Sequence, residues 1–509
     1  MKGKKYLQDL TSSKQNGKDM WRAINELTGK SAKLENTPIN DITCGELNTH
    51  FTTIKERTIK NDKSHLNDLE PLIEYCKTKS IQSSCFIPLI GVHEVYQAVL
   101  QLKSTRTCGI DLIDSKILKL SAHLISETLT YIYNLCISKS TFPKIFKQAK
   151  VIPIHKANNR KDPNNYRPIS ILSNLSKPLE HHIHTHTMKH LEKYKLIHQN
   201  QSGFRTNHSC QTALISMVDH WLSQINLNRY CAALFVDFSK AFDIIDRNLL
   251  LKKLDLYGIQ NNTLNLFRSF LFDRQQTVKC NNSFSSMLHT DYGVPQGSIL
   301  GPLLFSLYIN DLPLYISSNC DLFADDTTLH SSHGNLESLS VQMQSNVDQL
   351  IEWTELNHMA LNSDKTKFML ITTRQKRQNI KKQFEPLVID NHTIKEVDSH
   401  KLLGLIIDNN LSWAAHTTYI RNQIAKKTYA LSRIKNVLNA HCRKLFFFAH
   451  IQSTLDYASS VWDNCSDQNM KQIRSIHRRS LKVITAKKKI LPEDYRSNKI
   501  LPLAKRHKI

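Results

Sequence analysis

Apolar and polar positions along this chain alternate between helical spacing and short unbroken apolar runs, which predicts a protein that mixes helices and strands. Apolar residues recur at helical spacing over residues 19–28, 92–102, 115–137, 303–312, 419–438 and 475–485. A strand is predicted at Ala149–Ile154. From Cys231 to Asp408 strands, helices and turns mix, which indicates an α+β domain.

Two apolar runs end in aspartate. The run Ala233–Phe238 carries Asp237 at the end of a predicted strand, and the run beginning at Leu322 leads to Asp325 and Asp326 at the turn of a predicted hairpin. Placing unpaired carboxylates beside a buried strand is costly, so these acids are expected to face a cleft and a cation. If the hairpin pairs with the first strand, the three carboxylates meet, and such oxygen ligands suit Mg²⁺ and phosphoryl transfer.

Each aspartate segment also has an ordinary structural interpretation. Asp325 and Asp326 would serve in a solvated turn, since turns favour aspartate for hydrogen-bonding reasons. Asp237 would cap a helix, because the chain is expected to turn into a helix directly after Phe238. Taken singly, neither segment decides between a turn and a metal site.

A glycine-rich segment, Tyr292–Pro302, lies between the two aspartate segments. Glycines on both sides of Gln296 let the backbone approach a ligand closely, and the glutamine amide can bond to a base or a sugar. The segment has neither the Gly-x-Gly-x-x-Gly nor the Walker pattern, so nucleotide binding by those mechanisms is not indicated.

The composition is that of a large basic globular protein. The chain has 509 residues, 40% hydrophobic and 22% charged, which predicts more than one domain. Its formal net charge of +24 would attract polyanions such as nucleic acid, and the alternatives on charge alone are a solvated basic face or binding to a membrane surface. From Arg421 to Ile509 there are 20 basic and five acidic residues, a net charge of +15. No apolar run approaches the roughly 20 residues that span a bilayer, so an intracellular protein without membrane contact is expected.

Together the motifs closely resemble those of reverse transcriptases in their order and spacing. The resemblance is to the non-LTR retrotransposon branch (LINE-type, jockey-like) and covers roughly Phe86 to the end of the chain. The segments that support it are Pro153–Lys156, Asn165–Ser170, Gln201–Arg205, Phe235–Asp243, Gly293–Ser298, Phe323–Asp326, Leu361–Thr366 and Leu402–Gly404.

The resemblance implies a catalytic centre. Asp237, Asp325 and Asp326 correspond to a triad that binds two Mg²⁺ ions, with Mn²⁺ as a substitute; Asp237 and Asp325 would bridge both ions, and Asp326 would take part less directly. Lys365 is similar to a lysine near the departing pyrophosphate, for which a general-acid role is a hypothesis.

The same resemblance implies the substrate contacts. Phe242 is similar to an aromatic gate that packs under the incoming sugar and would clash with a ribose 2′-hydroxyl. Lys156 and Arg167 resemble basic residues that hold the triphosphate. Gln296, with Gly297 beside it, resembles the residue that senses the templating base pair. The alternative for Phe242 is a core position, and for each basic residue a surface charge.

The fold implied by the resemblance is a right-hand polymerase of the α+β class, with fingers, a ferredoxin-like palm and a helical thumb. The expected divisions are an N-terminal helical or polar connector over 1–85, fingers and the start of the palm over 86–230, the palm over 231–408, and a basic thumb with a truncated C-terminal region over 409–509. In the thumb, apolar residues at 420, 424, 431, 434 and 438 would pack, while Arg421, Lys426, Lys427, Arg433 and Lys435 would reach phosphates.

The resemblance implies an RNA template, a DNA primer or target DNA, and deoxynucleotides as partners, with the nucleus as the place of action. Two alternatives stay open: a group II intron maturase-like reverse transcriptase, and a non-catalytic nucleic-acid-binding remnant. The endonuclease usual in such elements is not seen before Phe86, which suggests a fragment. The copied RNA, the target site and the oligomeric state are not indicated.

Overall fold

The structure is a computed structural model that describes residues 41–59, 69–156, 159–378, 380, 384–389, 391–436, 438–487 and 490–497. The helix predicted at Asp19–Thr28 lies outside the described residues. Among the helices that are described, none combines the length and the apolar character needed to cross a bilayer.

The helices are distributed along the whole described chain. They are α1 Cys44–Thr52, α2 Ile54–Thr58, α3 Glu70–Thr78, α4 Val92–Gln101, α5 Ser115–Leu120, α6 Ala122–Ser138, α7 Ser176–Lys193, α8 Cys210–Asn226, α9 Arg247–Leu256, α10 Asn261–Leu271, α11 Leu300–Tyr308, α12 Leu312–Tyr315, α13 Leu336–Leu356, α14 Arg374–Gln378, α15 Ala414–Ile434, α16 Ala440–Phe446, α17 Ser453–Asp456, α18 Ser459–Trp462, α19 Asp467–Thr485 and α20 Pro492–Ser497. Short 3₁₀ helices occupy Lys144–Lys147 and Pro163–Asn165, and a π-helix occupies Phe447–Gln452.

The strands form two larger sheets and two short ribbons. They are β1 Gln148–His155, β2 Tyr166–Ile171, β3 Tyr230–Val236, β4 Arg274–Cys280, β5 Ser283–Phe284, β6 Leu288–Thr290, β7 Asn319–Phe323, β8 Asp326–His333, β9 Lys367–Ile371, β10 Val388–Ile389, β11 His392–Thr393, β12 Lys395–Glu396, β13 Ser399–Leu402 and β14 Leu405–Asp408. One sheet has the order β12-β9-β3-β8-β7, and the other has β2-β1-β4-β5 with β6 also paired to β4. The mixture of helices and sheets agrees with the predicted α+β class.

Strand β3 lies in the middle of its sheet and is buried on both faces. It pairs antiparallel with β8 on one side and β9 on the other. Ala232 and Leu234 belong to the larger hydrophobic core, whereas Ala233 and Phe235 belong to the core shared with the C-terminal helices. Alternate residues of a strand point to opposite faces, so the unbroken apolar run in this strand follows from its position between two cores.

The C-terminal helices pack in the hydrophobic core that also contains Ala233 and Phe235. Helices α15 and α19 run side by side in the same direction, since Arg421 bonds to Gln472 and Thr428 bonds to Ser480 further along both helices. The apolar residues predicted to pack in α15 and just after it, at 420, 424, 431, 434 and 438, are all buried, which confirms that stripe.

Of the basic residues of α15, two are exposed and two bond to other groups of the protein. Lys426 and Arg433 are exposed, as expected for phosphate contacts. Lys427 instead donates from Nζ to the His450 carbonyl at 3.0 Å and to Thr454 Oγ1 at 2.6 Å, and Arg421 donates to Gln472 Oε1 at 2.7 Å. Arg421 and Lys427 thus bond to polar groups of neighbouring C-terminal helices.

Two further predictions were wrong in detail. The helix expected from Ser115 to Ile137 is broken at Ser121, whose hydroxyl bonds back to the Ile117 carbonyl at 2.9 Å. The chain after Asp237 does not turn at once into a helix but makes a series of turns, with Lys240 in the left-handed region at φ 52°, before α9 begins at Arg247. Asp237 therefore does not cap a helix; Asp246 caps α9 instead.

Candidate active site

The strand register brings the two aspartate segments to one end of the central sheet. Val236, the last residue of β3, is opposite Thr327 in β8. Asp237 directly follows Val236 at this end, and Asp326, the first residue of β8, directly precedes Thr327. Strands β7 and β8 form a hairpin in which Phe323 faces Asp326, so Ala324 and Asp325 make its two-residue turn. The predicted pairing of the hairpin beside the first strand is confirmed.

The carboxylates of this hairpin interact electrostatically. Partial desolvation, with the charges of Asp325 and Asp237 adding to it, raises the pKa of Asp326 to about 6, although the residue keeps an exposed surface. Among the described residues, no three or more His, Cys, Asp or Glu side chains lie close enough together to bind one metal ion. The all-oxygen donor set fits a hard divalent cation, whose charge would offset the repulsion among the carboxylates.

The segment Leu361–Thr366 holds Asp237 from the other side. The Asn362 N–H donates to the Asp237 carbonyl at 2.8 Å, and the Asp237 N–H donates to Thr366 Oγ1 at 3.3 Å. Lys365 Nζ lies 3.6 Å from Asp237 Oδ2. The sequence-predicted Lys365 and Asp237 are therefore neighbours, and both keep about half of their side-chain surface exposed, at 56% and 46%.

Lys156 and Arg167 belong to the β1–β2 hairpin of the other large sheet, called the second sheet below, and this hairpin lies near the site. Lys156 directly follows β1, and its N–H donates to the Asn165 carbonyl at 2.8 Å, while Arg167 is exposed on β2. Burial lowers the pKa of Lys156, with Lys365 and Arg167 adding to this effect and Asp237 and Asp325 opposing it. Lys156 is thus within electrostatic range of two other cations and of two carboxylates of the site.

The glycine-rich loop bonds to β2 of the second sheet and to the turns that follow Asp237. The Ser170 N–H on β2 donates to the Gln296 carbonyl at 2.9 Å. Gly297 has φ 138°, and a Cβ built there would lie 2.2 Å from the Ser170 carbonyl oxygen, so only glycine fits this approach. The Gln296 side chain donates from Nε2 to Asp243 Oδ1 at 2.7 Å, so an acceptor on the protein already orients its amide.

Phe242 lies in the turns after Asp237 and contacts the glycine-rich loop. Its ring stacks on Phe305, with centroids 4.3 Å apart and an interplanar angle of 18°, and its carbonyl accepts from the Val294 N–H at 2.9 Å. Because Phe305 is fully buried while Phe242 is half-buried, the Phe242 ring has a fixed support on one side and remains partly accessible.

Several residues that hold this loop were missed by the sequence analysis. Buried Arg247 donates from Nε to the Gly293 carbonyl at 2.9 Å and from Nη2 to the Tyr292 carbonyl at 2.7 Å. Buried Glu180 accepts from the Ile299 N–H at 2.8 Å, and burial raises its pKa. A charged residue inside an otherwise apolar helical stripe is the only sequence signal that could have identified them.

Comparison with known proteins agrees with this geometry. The family model described as reverse transcriptase (RNA-dependent DNA polymerase) matches residues 154–407. The chain is 26% identical over 476 residues to the probable RNA-directed DNA polymerase from transposon BS of Drosophila melanogaster, covering 90% of this chain and 50% of that protein. It is 25% identical over 417 residues to the RNA-directed DNA polymerase from mobile element jockey of the same fly, covering 79% of this chain and 45% of that protein. The chain spans about half the length of the curated relatives it matches.

Proposed function

This chain belongs to the reverse transcriptase family, and from that membership and the site geometry we propose that it is the RNA-directed DNA polymerase of a non-LTR retrotransposon. The reaction would join a DNA primer 3′-oxygen to the α-phosphorus of a deoxynucleotide on an RNA template, and pyrophosphate would leave. The observation that supports this most directly is the register of β3 and β8, which brings Asp237 to the end of the sheet that holds Asp325 and Asp326.

The three aspartates would hold the metal cofactor. Their donor chemistry fits Mg²⁺, which accepts carboxylate oxygens together with substrate phosphates. When bound, two Mg²⁺ ions, or Mn²⁺ in their place, supply the Lewis acidity that activates the primer hydroxyl and stabilises the leaving pyrophosphate. The protein's own contribution is to present the carboxylates from two paired strands, where the sheet limits their movement.

The neighbouring cations would bind the nucleotide. Lys156 interacts electrostatically with Asp237 and Asp325 and also with Arg167, so both cations lie near the carboxylates and would contact a triphosphate bound there. A guanidinium can grip a phosphate with two parallel hydrogen bonds. Phe242, supported by Phe305, would contact the sugar, and Gln296, with Gly297 beside it, would contact the templating pair.

The larger organisation would be that of a right hand. We assign fingers and the start of the palm to residues 86–230, the ferredoxin-like palm to 231–408 and a helical thumb to 409–509, with a connector over 1–85. The exposed Lys426 and Arg433 on α15 support a thumb that contacts phosphates of an RNA template or DNA primer. Action on chromosomal DNA in the nucleus rests on the family resemblance alone.

A primer-extension assay tests the function. The full chain is incubated with poly(rA)/oligo(dT), dTTP and Mg²⁺, beside Asp325→Asn and the matched control Asp348→Asn, an exposed carboxylate on α13 that lies outside the site. We expect extension by the wild type and the control, and a loss on the order of 10³-fold in D325N, since metal-assisted catalysis supplies several kcal/mol.

The result also decides between the alternatives. Wild-type protein that retains primer-template in a filter-binding assay but adds no nucleotide would indicate the non-catalytic remnant. A D325N variant that extends primers as fast as the wild type would contradict the assignment of the site.

A further inference from the structure

The main chain of the segment Asn200–Gly203 bonds to β7, the first strand of the hairpin that carries Asp325 and Asp326. The Leu322 N–H donates to the Asn200 carbonyl at 2.9 Å, and the Ser202 N–H donates to the Leu322 carbonyl at 2.8 Å. This is a short parallel bridge between Gln201 and β7, just before the turn at Ala324. The segment therefore fixes the strand that leads into the turn.

The Gln201 side chain continues this contact to the turn itself. It is fully buried, and its Oε1 accepts from the Gly203 N–H at 2.7 Å and from the Ala324 N–H at 3.4 Å. Ala324 has φ 56°, in the left-handed region that an alanine adopts only at a cost. One amide oxygen thus ties the Gln201–Gly203 segment to the residue directly before Asp325.

Gly203 lets the two segments approach this closely. A Cβ built on Gly203 would lie 2.3 Å from the Ala324 nitrogen and 3.0 Å from its Cα. Both atoms are backbone, so a side chain at this position would have to push the turn away rather than displace a flexible group.

We propose that Gln201 and Gly203 are positioning residues that set where the Ala324–Asp325 turn stands relative to Asp237. The inference rests on the proposed polymerase function, since it assigns these residues a role in placing its metal-binding carboxylates. A displacement of about 1 Å in a reacting group can cost on the order of 100-fold in rate, so a small shift of the turn would be felt in catalysis.

The Gln201 amide also offers a way to separate positioning from folding. Its Nε2 is buried and has no hydrogen-bond partner among the described residues. Gln201→Met keeps an unbranched side chain of similar length, removes this unpaired donor and removes the acceptor for Gly203 and Ala324. The two changes in hydrogen bonding offset in part, so the variant should fold while the turn loses its anchor.

The experiment measures single-nucleotide addition to oligo(dT) on poly(rA) by the full chain. We compare Gln201→Met, Gly203→Ala and the matched control Gly334→Ala, whose added Cβ would have nothing within 4 Å. For Q201M and G203A we expect kcat to fall by about tenfold or more, with the primer-template Kd and the dTTP KM within about twofold of wild type. The Mg²⁺ concentration for half-maximal rate should rise in both, and G334A should behave as wild type.

The possible outcomes lead to different conclusions. A Q201M protein that melts like the wild type and keeps its kcat and Mg²⁺ dependence overturns the inference, even if G203A fails to fold. A uniform loss of primer-template binding in Q201M also overturns it, because that would indicate a general structural role. A wild-type protein that adds no nucleotide would refute the proposed function itself, and this inference with it.

Discussion

The ammonium group of Lys365 lies 3.6 Å from the carboxylate of Asp237, although the two residues belong to segments that are far apart in the chain. Both side chains are about half exposed. An ion pair with that exposure adds little to stability, because solvent screens it and ordering two side chains costs entropy. Its position beside a proposed metal ligand therefore matters more for the reaction than for the fold.

Replacing Lys365 with methionine is expected to slow chemistry. In single-turnover dTTP addition the rate of Lys365→Met should fall on the order of 100-fold, because a positioned proton donor typically contributes at least that much. The primer-template Kd should change little, since one exposed charge is removed from a strongly basic protein.

Lys365→Arg distinguishes the two roles that a lysine can have here. Arginine keeps the positive charge but does not give up its proton. If the single-turnover rate of K365R is as low as that of K365M, proton donation is supported. If the rate of K365R equals that of the wild type, the positive charge alone is sufficient for the reaction. A single-turnover rate in K365M equal to that of the wild type would rule out both roles.

Phe242 is predicted to select the sugar of the incoming nucleotide. Because Phe305 supports its ring on one side, Phe242→Val should open space without moving the backbone. The preference for dTTP over rUTP, measured as the ratio of kcat/KM values, should fall by about tenfold or more, since the lost contact discriminates by sterics.

A core phenylalanine of the same segment is the matched control for this prediction. Phe238 is buried with its ring 6.2 Å from that of Trp353. Phe238→Leu should lower stability but leave the dTTP to rUTP ratio unchanged. An unchanged ratio in F242V would place Phe242 among ordinary packing residues.

The parts of this site that the sequence predicted share a local signal. Asp237 and the hairpin at Asp325 were predictable because apolar runs and a turn pattern lie next to the acids themselves. The pairing of the two segments was a hypothesis, because they lie far apart in the chain and no local pattern specifies which strands pair; the register of β3 and β8 confirms it.

The parts that were missed depend on contacts between residues far apart in the chain. Arg247 bonds to the carbonyls of Tyr292 and Gly293, and the apolar stripe around Arg247 marks it as unusual without indicating these partners. Helix α1 was within reach, because Thr43 and Glu46 form a capping box at its start, yet the segment was interpreted as a polar connector. Its packing on β4 through Asn48, by contrast, could not be inferred locally.

A buried ion pair supports the core behind the site. Lys253 Nζ lies 2.6 Å from Asp311 Oδ2, both side chains are fully buried, and Lys253 also donates to the Tyr308 carbonyl at 2.6 Å. Lys253→Met leaves the Asp311 charge without its cation, which is expected to cost about 3–5 kcal/mol of unfolding free energy. The adjacent exposed Lys252→Met is the control and should unfold like the wild type in urea.

The Lys253 prediction has a clear contrary outcome. If K253M and K252M unfold at the same urea concentration, the prediction is wrong, because Asp311 would then lose its cation without any cost in unfolding free energy.

His416 should make the protein sensitive to mild acid. Burial lowers its pKa from 6.5 to about 4, and its ring packs among Trp413, Tyr419 and Trp462 while Nδ1 accepts from the Ile406 N–H at 3.3 Å. Because the folded pKa is the lower one, the unfolded chain takes up the proton first as pH falls. The stability contribution is therefore complete above pH 6.5 and is lost as pH falls through about 4.

The size of this loss follows from the shift, since each pKa unit corresponds to about 1.4 kcal/mol, which gives about 3 kcal/mol for His416. His416→Asn keeps an acceptor for Ile406 and removes the titrating ring, so its melting temperature should fall less steeply between pH 6.5 and 4 than that of the wild type. The exposed His123→Asn should retain the wild-type slope. Equal slopes in H416N and the wild type would show that the acid sensitivity arises elsewhere, for example at His50 or His400, whose pKa values burial also lowers to about 4.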